Sequence, residues 1–157
     1  MRATAILLVL PILALNFAFA GELPAAYQAE IFDAGLPPWL PPTENALRLA
    51  LFGLMVVLPV QSNRAGWAVF SLGVLAYAGS WAAVILAAGS AWAQSWIGFI
   101  APAWTPALWL TGIGLLARPR SVPALRHAKP VYGALAASFL LAHVSHAALV
   151  WARLSAG

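Results

Sequence analysis

The side chains best placed to do chemistry are His143 and His146, inside the last apolar run, residues 131–151. They are the titratable groups expected to lie deepest in any apolar run of this chain. An ionisable residue inside a membrane helix is costly and marks a functional site by default. Three residues apart, the two imidazoles share one side of a helix, about 60° from each other. Such a pair could ligate a metal, hold haem, or hydrogen-bond an apolar ligand such as a quinone. Helical metal pairs are usually spaced by four and completed by a carboxylate or a third imidazole. Here no carboxylate is expected at the depth of the histidines. Haem with two axial histidines wants a second one on a facing helix, and no other apolar run holds any. Ser80 and Ser145 lie near the right depth for a serine–histidine dyad, but no acid is expected there to orient the imidazole. No catalytic residue is therefore assigned. The plainest role for both rings is hydrogen bonding between neighbouring helices.

What must position these residues is a membrane bundle. Of the 157 residues, 63% are hydrophobic and 8% charged, and the mean hydropathy is +0.88. Globular domains carry roughly 25% charged residues, so lipid is the expected solvent. The net charge of +4 does not point to nucleic acid. The basic residues are scattered and gather where helix ends would meet the cytoplasm and anionic lipid. With no cysteine, disulfides, thiolate metal sites, iron–sulfur clusters and covalently attached haem are excluded.

The pattern predicts one all-α integral membrane domain over residues 1–157. Residues 1–20 read either as a first helix or as a cleaved signal peptide, with Ala18-Phe19-Ala20 before Gly21. Five transmembrane helices follow from the first reading and four from the second. Residues 21–44 form an acidic, proline-rich loop carrying Glu22, Glu30, Asp33 and Glu44. Within it, 25–34 reads as a short surface helix and 36–43 as an extended strap stiffened by Pro37, Pro38, Pro41 and Pro42. The remaining spans are 46–60, 67–88, 97–117 and 131–151, with Glu44 and Arg48 expected near the headgroups. Gly66, Gly73 and Gly79 with neighbouring alanines give the 67–88 helix small-residue faces, Gly79 and Ala83 among them. Pro102 and Pro106 should kink the next helix. Trp92 and Trp96 read as an interfacial belt.

The loop 118–130 holds Arg118, Arg120, Arg126 and Lys129, which belong on the cytoplasmic side. Counting spans from there also puts Arg64 inside, and the acidic loop and the carboxyl terminus outside. A bacterial inner membrane with a periplasmic carboxyl terminus is the expected location. Rising 1.5 Å per residue, His146 lies about 7 Å and His143 about 12 Å below the outer boundary. Trp81 and Trp104 fall near the same layer, about 10 Å deep. The expectation is one outer-half pocket lined by His143, His146, Trp81 and Trp104 beside the kink at Pro106.

Pro37-Pro38-Trp39-Leu40-Pro41-Pro42, just before the second span, resembles the proline–tryptophan loop of the translocator protein family, the tryptophan-rich sensory proteins. Chain length, eight tryptophans and five spans are similar too. The aromatic-rich start of that family's next helix is missing, since residues 43–51 hold no Trp or Tyr. Its Trp and Asn pattern in the third span is also absent. The resemblance implies a porphyrin or sterol-like ligand near Trp39.

The function expected from these residues is non-enzymatic. One form is an accessory or assembly subunit, working with other membrane subunits or as a homodimer. The other is a binder of a small apolar ligand. A redox protein holding haem, quinone or copper through His143 and His146 is the alternative.

Overall fold

A computed structural model describes residues 3–118 and 127–156. The described residues form an all-helical fold, with 77% of them in helix. A 3-10 helix, Ala5–Val9, runs into α1 (Leu10–Phe19). The segment between α1 and α3 carries a 3-10 turn at Ala25–Tyr27 and the short α2 (Ala29–Phe32). Then come α3 (Leu40–Val57), α4 (Arg64–Leu86), α5 (Trp96–Trp104), α6 (Pro106–Leu116) and α7 (Ala128–Ala156). Among the described residues, three stretches are long and apolar enough to cross a membrane: α4, α5 with α6 taken together, and α7. That is the composition of an integral membrane protein. Exposed Phe17, Leu86, Leu141 and Leu75 cover the outside of the bundle, a surface suited to lipid rather than water.

The start of α3 differs from expectation. The helix begins at Leu40 rather than Ala46, taking Pro41 and Pro42 into its first turn. Proline is tolerated there because first-turn N–H groups have no intrahelical acceptor. The six extra residues lengthen the helix by about 9 Å. They turn Glu44 from a loop residue into a helical one, buried and four positions before Arg48. The surface helix predicted over 25–34 is present as two shorter pieces.

Helix α4 starts at Arg64 because the Asn63 side chain accepts from the Ala65 N–H, a standard N-cap. Its close seam is with α6. A Cβ on Gly73 would sit 2.3 Å from the Trp109 backbone nitrogen, and one on Gly112 would sit 2.5 Å from Phe70 backbone atoms. The expected Gly79 face is not part of this seam, since nothing lies within 4 Å of its Cβ position. Between α5 and α6 the chain breaks at Thr105, with Pro102 inside α5 and Pro106 opening α6. Prolines cannot donate to the preceding turn, so the kink falls where they sit.

The main core gathers fully buried Leu51 and Met55 of α3, Leu58 just after it, Leu110, Ile113 and Leu116 of α6, and Ala5 and Val9 of the first helical stretch. At that end of the bundle Ala5 N–H donates to the Leu58 carbonyl. Isolated bridges pair Thr4 with Pro59 and Val60 with Ala117. Exposed Arg64, Arg118 and Lys129 lie at the same end. Arg120 and Arg126 fall outside the described residues.

Candidate ligand pocket

At the opposite end α3 faces α7. There the Glu44 carboxylate, 5% exposed, meets both histidines. His143 Nδ1 lies 3.1 Å from Glu44 Oε1, and His146 Nδ1 lies 2.8 Å from Glu44 Oε2. Arg48 closes the set, its Nη2 donating to Glu44 Oε1 and its Nη1 donating to Asn45 Oδ1. The expectation that no carboxylate reaches the histidine layer is corrected by this geometry. Moving the helix start to Leu40 carried Glu44 down into it. The signal available in the sequence was the Pro-Pro pair, which fits a first helical turn as well as an extended strap, with Glu44 and Arg48 at helical spacing.

Three donors on one carboxylate are the surroundings of an ionised acceptor. A carboxylate accepts only, so each imidazole presents its Nδ1 as the N–H edge and turns Nε2 away. For His146, buried at 4% exposure, Nε2 lies 3.3 Å from Asp33 Oδ1. That is ion-pair distance, but the atoms are not aligned as a hydrogen bond, and Nε2 has no hydrogen-bond partner among the described residues. Phe32 covers the same ring, with centroids 4.7 Å apart. His143 is half-buried and stacks on Phe139, and the Arg48 guanidinium sits 5.5 Å above that phenyl ring.

Beside this cluster is a cavity of about 400 Å³. Its walls are largely aromatic: Tyr27, Phe52, Tyr77, Trp81, Phe99 and Trp109, with Pro102 and Pro106 from the kink. His143 and Arg48 supply its charged and polar side, together with Asn16, which accepts from the Tyr77 hydroxyl. The segment between α1 and α3 forms part of the wall through Leu23, Tyr27 and Phe32. It is held down by Tyr27, whose hydroxyl donates to the Phe99 carbonyl at 2.9 Å. Burial pushes the Tyr27 phenol up, so it keeps its proton and remains a donor. Arg153 of α7 also donates to the Ile31 carbonyl and packs against Gly35, whose φ of +66° is a conformation glycine takes without strain.

The expected pocket residues divide as follows. Trp81 and His143 line the cavity, and His146 stands behind it between Glu44 and Phe32. Trp104 and Trp39, 41% and 62% exposed, are not among its lining residues. Ser80 does not approach either histidine as a nucleophile would. Its hydroxyl donates to the Tyr77 carbonyl at 2.7 Å and lies 3.5 Å from Thr105. Among the described residues no group of three or more His, Cys, Asp or Glu is arranged to hold a metal ion.

The fold and the pocket define a helical integral membrane protein with a polar cluster beside an aromatic cavity. Set against protein-family models, curated proteins and solved structures, the chain matches none.

Proposed function

We propose that this protein binds a small, ring-containing apolar ligand in the aromatic cavity. The observation that carries the reading is the cavity itself, with its aromatic walls and a single polar side at His143 and Arg48. Its volume lies in the range of roughly 300–1,000 Å³ occupied by drug-sized ligands. Flat rings gain from stacking on Tyr27, Phe99 and Trp81 beyond the burial of their area. The accessory or assembly role remains compatible with this site, since a bound ligand can be cargo or sensor. No observation favours haem or copper over such a ligand, because His146 turns its Nε2 towards Asp33, behind the cavity that His143 lines, so the two rings do not converge on one point.

The same proposal places the protein in a bacterial inner membrane with five spans, the first at Ala5–Phe19 and the second at α3. Both run between the same two ends of the bundle as the three longer stretches, which supports counting them. The basic end carrying Arg64, Arg118 and Lys129 is then cytoplasmic, and the pocket lies in the outer half.

The test is direct titration with 1-methoxynaphthalene, an apolar two-ring probe. Protein in nanodiscs should bind it saturably above empty nanodiscs. Ala103→Phe or Ala147→Leu, each adding bulk to the cavity wall, should remove that binding. Equal partitioning into loaded and empty discs would refute the reading.

A further inference from the structure

The donors around the cavity are largely spent. Tyr27 donates to Phe99, Tyr77 to Asn16, and Arg48 to Glu44 and Asn45. The indole nitrogens of Trp81 and Trp109 have no hydrogen-bond partner among the described residues but are sealed from the open space. His143 differs from all of these. Its Nδ1 is committed to Glu44 at 3.1 Å, and its ring lines the cavity with 24% of the side chain exposed. A neutral imidazole that donates through Nδ1 carries a lone pair on Nε2. Charge counting favours the neutral ring here. Arg48 already neutralises Glu44, and a second cation on the same carboxylate would go uncompensated.

We propose that His143 is the head-group acceptor of the cavity and that the ligand carries a donating hydroxyl on its ring, as phenols and hydroquinones do. The inference rests on the ligand-binding reading above and names the ligand's chemistry. Glu44 is a positioning residue. By taking the Nδ1–H it fixes the tautomer, as a carboxylate fixes the ring of an imidazole that serves through its other nitrogen. Phe139, stacked at 13° to the ring, holds its plane. A ligand carrying only carbonyl or ether oxygen would set its lone pairs against the Nε2 lone pair and gain nothing from His143.

The experiment compares 1-naphthol with 1-methoxynaphthalene, which share a ring system and differ in the hydroxyl proton. Wild-type protein in nanodiscs should bind the naphthol about tenfold more tightly than the ether, after subtraction of empty discs. His143→Leu should bring the two affinities together while leaving the ether bound. His143→Gln, whose side-chain carbonyl can accept, should restore part of the preference. Glu44→Leu should lower the preference for naphthol without abolishing ether binding, a split that a merely structural role would not produce. Equal affinities in wild-type protein, or a preference that survives His143→Leu, would overturn the head-group assignment while the ether still reports an intact cavity. If wild-type protein binds neither probe, both the cavity reading and this inference fail.

Discussion

At the residue scale the decisive group is Glu44. A buried carboxylate is tolerated only when it is paired and hydrogen-bonded, and here Arg48 and two imidazoles share the task. Removing one member of such a set leaves the others uncompensated. Glu44→Leu should therefore cost about 3 kcal/mol of stability, nearer the low end of the range for broken buried pairs because Arg48 is about a third exposed. The double change Glu44→Leu with Arg48→Met should recover much of that loss. Thermal unfolding in one detergent, followed by circular dichroism, measures both. If the double variant is no more stable than the single one, the carboxylate–guanidinium pair is not what the loss reflects. The histidines themselves were legible in the sequence, because an apolar run flags any titratable intruder. Their partner was not, since Glu44 follows two prolines and reads as loop until the helix start is known.

At the element scale the close approach is the crossing of α4 with α6. Gly73 and Gly112 let α4 and α6 approach until backbone meets backbone across the seam, the packing that small residues provide in lipid. Overpacking such a contact typically costs about 1–3 kcal/mol. Gly73→Ala and Gly112→Ala should each lower the unfolding temperature, whereas Gly79→Ala should leave it unchanged or raise it slightly, since glycine carries a helix penalty. Equal effects at all three positions would mean that this seam is not the tight one. Small residues were visible in the sequence on several faces of α4, but which face is used depends on a partner that periodicity does not name. The kink between α5 and α6 was readable, because proline acts on its own helix.

At the scale of the whole molecule, charge and shape point the same way. The basic residues Arg64, Arg118 and Lys129 share one end, while the acidic segment between α1 and α3 caps the other. A carboxyl-terminal alkaline phosphatase fusion should be active and a carboxyl-terminal green fluorescent protein fusion dark, as for a terminus outside the cytoplasm. The reverse pair of signals would turn the molecule over and place the pocket in the inner leaflet. The three long spans were plain from hydropathy. The two shorter helices were less so, one resembling a leader and the other holding Glu44, Asn45 and Arg48 in its first half.

The two backbone bridges at the basic end carry a mechanical meaning. Thr4 with Pro59 and Val60 with Ala117 tie three chain segments by main-chain hydrogen bonds, contacts indifferent to side-chain identity. The opposite end is closed by side chains: a tyrosine hydroxyl, an arginine and an aspartate beside a histidine. The bundle is thus built like a clothes-peg, riveted at one end and sprung at the other. Any widening that admits a guest is expected at the sprung end, with the tips of the helices travelling furthest and the bridged residues hardly moving.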